Sequence, residues 1–202
     1  MSVSGNVQDM PVVGEHPALD LVNTVFIRGG LRGQLVDALS TPADLADWIA
    51  AHAKALGPLG ADTVADDGAG RAARTAFVEL REPVRRLVSA AASGVPAAPG
   101  DVAAVNAAAR AHRDTAELPP TGYGSARLGT DAPDTPAAVL ARVARAAVDL
   151  LTGPDLDLLR ACQAPGCVLF YLRTHPRREW CSKGCGTRVR VARHHRRHGE
   201  PA

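Results

Sequence analysis

The chain has four cysteines, Cys162, Cys167, Cys181 and Cys185, spaced C-x4-C-x13-C-x3-C. Two close pairs separated by a hairpin-sized spacer can offer four thiolates tetrahedrally to one ion, which is the closed ligand set of structural Zn2+. With sulfur at all four positions no place remains for water, so the single metal would stabilise the fold and not catalyse. Two disulfides, separate free thiols and an iron-sulfur cluster are the competing readings. Disulfides need an oxidising compartment. The N-terminal run MSVSGNVQDMPVVGEHP carries no basic segment followed by an apolar stretch, so no signal peptide is read and the expected location is the reducing cytoplasm. The paired spacing beside a basic segment suits zinc better than an iron-sulfur centre.

The chemistry around the cysteines is cationic. Between Arg173 and Arg197 stand nine Lys or Arg residues against one acid, Glu179. Residues 1 to 161 carry fourteen Lys or Arg and nineteen Asp or Glu, a net of −5, whereas residues 162 to 202 carry nine and two, a net of +7. Such a short, lopsided +7 segment is the electrostatic footprint of a polyanion binder. The candidate DNA contacts are Arg177, Arg178, Lys183, Arg188, Arg190, Arg193 and Arg197. A solvated charged tail is the plainer alternative. His175, His194, His195 and His198 read as surface residues, since four thiolates already fill the metal site, and Trp180 reads as packing under the metal module or as a base-stacking ring.

Leu156 to Leu159 and Val168 to Leu172 predict two strands joined by the Gln163–Gly166 turn, with the first cysteine pair on that turn. Ser182 can cap a helix that begins inside the second pair, so the metal would pin a β-hairpin to a helix N-terminus. At 100° per residue Cys185, Val189 and Ala192 share the inner face, and Arg190, Arg193 and Arg197 form an outer stripe.

The remainder reads as helical. One apolar stripe runs from Leu45 to Leu56, opened by Thr41, Pro42 and Asp44 and stopped by Gly57–Pro58. A second runs from Ala73 to Val88, with a kink expected at Pro83. A weaker helix is read over 101–112, and a third stripe runs from Val139 to Leu151 behind Thr135–Pro136. Residues 57–69 and 92–100 read as loops, and 118–134 as loop or short hairpin. Gly153–Pro154 is the best boundary, at the point where the charge changes sign.

The fold class is therefore mainly α: a helical N-terminal domain (1–153), then a small treble-clef-like α+β zinc finger of hairpin plus helix (154–202). No apolar stretch reaches the roughly 18 residues that span a bilayer. The sequence contains no Gly-rich phosphate loop, no HExxH and no nucleophile elbow, so the expectation is a protein without enzymatic activity. Asp20 and Asn23 interrupt the apolar run Ala18 to Phe26 on one face of a helix-like segment. They either line an effector pocket or make local hydrogen bonds that fix the N-terminal helix.

The runs Arg178-Glu179-Trp180-Cys181-Ser182, Cys185-Gly186-Thr187-Arg188 and Val191-Ala192-Arg193-His194 resemble the CGNR zinc-finger family. His16-Pro17-Ala18-Leu19-Asp20-Leu21-Val22-Asn23-Thr24 and Leu39-Ser40-Thr41-Pro42-Ala43-Asp44-Leu45 resemble the ABATE domain that accompanies it. The two resemblances cover nearly the whole chain. They imply a bacterial, stress-induced transcription regulator, with the finger binding DNA and the helical domain sensing an effector. A single finger buries too little surface to specify a genomic site alone, so homodimerisation through the body is a further expectation. Thr187 stands where the family has Asn, and one hydroxyl can reproduce only part of an amide's hydrogen bonding. The other class of function compatible with these features is a zinc-organised module that grips an acidic protein or RNA.

Overall fold

Short polar side chains and prolines at the expected places start the helices. In the computed structural model, residues 3–57, 59, 64–65, 67–118, 120–123, 127–129 and 135–198 are described. Helix α1 (Pro17–Val22) is capped by the His16 ring, α2 (Pro42–Ala51) by Thr41, α4 (Gly68–Ser93) by Asp67 and α6 (Pro136–Thr152) by Thr135. At α2 the cap is reciprocal: the Asp44 amide donates to the Thr41 hydroxyl (3.2 Å) and the Thr41 amide to the Asp44 carboxylate (2.7 Å). Helix α5 (Pro99–Arg110) realises the weaker pattern read over 101–112.

Two expectations are corrected. The stripe from Leu45 to Leu56 is not one helix. It breaks at His52 into α2 and a single turn, α3 (Ala53–Leu56): the His52 ring takes the Trp48 carbonyl (2.7 Å) that the His52 N–H would use in a continuing helix, that N–H turns to the Ile49 carbonyl (3.0 Å), and the other ring nitrogen meets the Asp20 carboxylate (2.9 Å). Helix α4 begins at Gly68, inside the stretch read as loop. Gly70 is required there, since a Cβ would sit 1.8 Å from the Ala65 carbonyl oxygen. The same helix continues through Pro83 to Ser93, where Gly94 closes it with φ +67°. Pro58 of the predicted stop lies outside the described residues.

The body also holds strands that the helical reading did not include. Strands β1 (Val3–Ser4), β2 (Val25–Arg28) and β3 (Gln34–Asp37) form one sheet in the order β1-β3-β2, parallel between β1 and β3 and antiparallel between β2 and β3. Strands β4 (Thr115–Glu117) and β5 (Arg127–Gly129) pair antiparallel in a short hairpin; β4 lies before the segment 118–134 expected as loop or short hairpin.

Strands β6 (Leu159–Ala161) and β7 (Phe170–Leu172) pair antiparallel, and α7 (Lys183–His198) follows. Leu156 and Leu158 are not in the strand; they belong to a one-turn helix, Pro154–Leu158, that leads into β6. The mainly α body with a small hairpin-plus-helix module matches the expected fold class. No helix among the described residues is long and apolar enough to cross a membrane.

One buried core runs from Trp48, Phe26, Phe77 and Leu19 in the body to Leu159, Phe170, Leu172 and Val189 in the module. Polar clamps reinforce that continuity. The Asn23 side chain pairs with both backbone groups of Phe170: its amide donates to the carbonyl (2.9 Å) and its oxygen accepts from the N–H (3.0 Å). Arg85 of α4 donates to the Val168 carbonyl and to the Val22 and Val25 carbonyls. The loop between β2 and β3 rests directly on the cysteine turn. A Cβ on Gly166, whose φ is +68°, would lie 2.7 Å from the Gly30 carbonyl carbon.

Candidate metal centre and basic helix

Cys162 follows β6, Cys167 closes the turn before β7, and Cys181 and Cys185 flank the start of α7. The Ser182 hydroxyl accepts from the Cys185 amide (3.3 Å), so the predicted cap brings the second pair round onto the first. All four sulfurs lie within 4.8 Å of one another, and they are the described residues that group in this way. The measured Sγ–Sγ separations are 3.7 Å for Cys167–Cys181, 3.7 Å for Cys167–Cys185 and 3.3 Å for Cys181–Cys185. A tetrahedron with Zn–S bonds near 2.3 Å has edges of about 3.8 Å, whereas a disulfide requires about 2.05 Å. The cluster fits one ion and not a pair of disulfides.

Crowding sets the four thiols against one another. Donation from the Cys167 and Cys181 thiols pulls Cys162 down to about 2. Cys167 is pushed up to about 12 because its proton serves Cys162, and Cys181 is pushed up for the same reason. Four thiolates cannot coexist in this volume without a cation, and a dication removes the conflict. The donor set is therefore that of one structural Zn2+, held by Cys162, Cys167, Cys181 and Cys185 with no open position. The histidines stand outside it: His175 accepts from the Arg177 amide (3.1 Å), and His194 and His195 are exposed and stack edge to face. The His198 side chain lies outside the described residues.

The predicted basic contacts divide into two groups. Arg178 and Arg188 are half-buried and engaged with protein partners, although Arg178 also borders the cleft described below. Arg178 pairs with the Glu15 carboxylate, donates to the Leu172 (3.2 Å) and Cys181 (2.8 Å) carbonyls and lies 4.9 Å from the centre of the Tyr171 ring. Arg188 donates to the Cys185 sulfur (2.9 Å), and its stem packs on Gly30. A guanidinium at that sulfur orients the ligand and balances thiolate charge.

Arg177, Lys183, Arg190 and Arg193 are exposed. The Arg197 side chain lies outside the described residues. Arg190 is steadied by the Thr187 hydroxyl, which accepts from it (3.0 Å) and itself donates to the Lys183 carbonyl (3.2 Å). Thr187 thus acts within α7, as a splint for the next exposed arginine.

Three of these cations line an open cleft of about 1110 Å³ at the N-terminal end of α7, together with Trp180 and the Pro11–Val13 segment. Trp180 is half-buried and packs over Gly186, where a Cβ would come within 3.1 Å of the ring. The small residue at 186 lets the indole pack close against the helix and form part of the cleft wall.

Asp20 and Asn23 are buried among the described residues and border none of the clefts described here. Each is 1 % exposed. Asp20 accepts from the Gly14 amide (2.8 Å) and meets His52, and Asn23 clamps Phe170. Both residues make hydrogen bonds that tie the N-terminal helix to its neighbours, Asn23 to a partner 147 residues away. Glu15, Arg85 and Gly30 were not singled out from sequence, because their partners lie far along the chain.

Residues 15–154 match the ABATE family model, described as "Putative stress-induced transcription regulator", and residues 159–198 match the CGNR zinc finger. No curated protein matches the sequence.

Proposed function

We propose that this chain, which belongs to the ABATE family and ends in a CGNR zinc finger, is a transcription regulator whose zinc-ordered helix α7 binds duplex DNA. The observation that carries the reading is the separation of the arginines. Once Arg178 and Arg188 are engaged with protein partners, Arg177, Lys183, Arg190 and Arg193 remain exposed on the finger, three of them around one open cleft. Helix α7 spans sixteen residues, roughly 24 Å at 1.5 Å per residue. A helix of that size enters a major groove about 12 Å wide.

Arg190 and Arg193 are three residues apart and so project from one side of α7. One can meet a guanine edge while the other neutralises a phosphate. Lys183 and Arg177 at the helix start would hold the backbone and set the angle of entry. The metal's part is to order the finger, and the body's clamps through Asn23 and Glu15 fix the finger's orientation.

Fluorescence anisotropy of the zinc-loaded full chain on duplex fragments, across a salt series, tests this. Affinity should fall log-linearly with salt, and Arg190→Ala combined with Arg193→Ala should flatten the slope by about two. An absence of duplex binding at about 50 mM salt with zinc present would overturn the proposal. Binding of RNA or an acidic protein under those conditions would then identify the finger as an interaction module.

A further inference from the structure

Where three helices of the body meet they leave a half-open, mainly apolar cavity that the DNA contact does not use. It has a volume of about 320 Å³ and lies where α4, α5 and α6 meet, walled by Leu87, Val105, Val148, Leu151 and Leu156. Ala90 and Ala91 present only methyl groups towards it from α4. Helix α5, which forms the opposite wall, is held at both ends. At its first turn Asp101 takes the Arg86 guanidinium through contacts of 2.7 to 3.0 Å. At its last turn Arg145 of α6 donates to the Ala109 and His112 carbonyls. A helix fixed at both ends cannot move inward over small residues, so the space persists.

The lining also defines what could enter. No charged side chain contributes to it among the described residues. A charged ligand would find no side chain of opposite sign there, which favours a neutral one. The Thr152 hydroxyl donates to the Val148 carbonyl (2.8 Å). The Asn106 amide makes no side-chain hydrogen bond among the described residues and is the polar group in the lining still able both to donate to and to accept from a ligand, Thr152 keeping acceptor capacity alone. Val95 and Val102, 55 % and 39 % exposed, form the water-facing part of the lining together with the exposed Ala97 and Thr152. The volume is roughly twice that of the ~150 Å³ cavity known to hold benzene, the scale of a fused bicyclic ring.

We propose that this cavity binds a neutral, largely apolar small molecule of fused-bicycle size whose single hydrogen-bonding group meets Asn106. As the effector of the regulator it rests on the function proposed above. The route to the finger is short. Leu156 lies in the turn Pro154–Leu158, which runs directly into β6 and from there to Cys162.

The zinc-loaded full chain, without DNA, is titrated with 2-naphthol, a neutral bicycle with one hydroxyl. Its excited state loses a proton in water but not in an apolar site, so emission from the neutral form reports entry. Saturable 1:1 binding is expected. Ala91→Phe fills the space and should weaken binding at least about tenfold with helical circular dichroism retained. Asn106→Leu keeps the volume, guards against a folding artefact at Ala91, and should weaken binding several-fold. No saturable binding, or binding indifferent to both substitutions, overturns the proposal. The duplex salt series on the same preparation separates the two readings: intact DNA binding without naphthol entry removes the cavity proposal alone, and naphthol entry without DNA binding removes the DNA reading alone.

Discussion

The helical body and the finger handle polar side chains in opposite ways. The body turns them inward: Asp20 meets His52, Arg81 meets Asp37 at 2.7 Å, and Arg142 meets Asp114 at 2.8 Å, with little of any of these side chains exposed. The apolar core around Trp48, Phe26 and Phe77 is large enough to carry such pairs. The finger spans about forty residues, too few for a self-sufficient core, and a metal takes the place of apolar bulk. Its cations turn outward except where the body reaches across and takes one. Burying a charged group therefore depends on how much structure surrounds it, and in the finger that surplus is supplied by Glu15 and Gly30 of the body.

Removing the metal breaks the contrast most severely. Cys181→Ser should abolish zinc binding and unfold β6, β7 and α7, since structural zinc contributes on the order of 10 kcal/mol or more to a module of this kind. The body should keep its helices but melt earlier, because it loses the surfaces held by Asn23 and Arg85. Metal content and circular dichroism measured together check this; a finger that stays folded without zinc would refute it.

Cutting one clamp sharpens the comparison. Asn23→Ala leaves the Phe170 N–H and carbonyl buried without partners. At about 1–3 kcal/mol each, the loss should be roughly 2–6 kcal/mol by chemical denaturation. A loss below about 1 kcal/mol would mean that the finger and body are energetically independent.

The two classes of arginine should then separate by readout. Arg178→Ala should lower stability by roughly 1.5–3 kcal/mol, because a charge-assisted hydrogen bond to Glu15 disappears. Arg190→Ala should change stability by no more than about 0.5 kcal/mol and affect only the salt slope. The reverse pattern would invert the assignment.

A pH effect is the smallest. Burial holds His16 below its ordinary value, partly opposed by the charges of Asp155, Asp20 and Asp149. The neutral ring is also what accepts the Ala18 amide (3.3 Å) at the start of α1. A depressed folded value means that this stability is present above the unfolded value near 6.5 and is lost as pH falls below it. The thermal midpoint should therefore drop between about pH 7 and pH 5. His16→Asn keeps a capping acceptor and should flatten that drop; an unchanged profile would dissociate the effect from His16.

Features set by neighbours in the chain were legible. The cysteine spacing, the Ser182 cap and the hundred-degree periodicity of α7 placed the four sulfurs together and Arg190 and Arg193 on the outside. Thr41, Thr135 and their following prolines located two helix starts. The β1-β3-β2 sheet was missed because strands of two to four residues hold only through pairing with distant segments. Asn23 stands 147 residues from the backbone groups it satisfies, so its chemistry was visible but its partner was not.

By itself the sequence determined the metal, the ligand set and the sign of the charge beside it, because thiolate spacing and charge composition are local properties. Tertiary structure alone decided which arginines remain available, since Glu15 claims Arg178, while the Cys185 sulfur and the β2–β3 loop claim Arg188. It also decided that the body's cavity lies between α4, α5 and α6 and not beside Asp20, because a void depends on which helices are held apart.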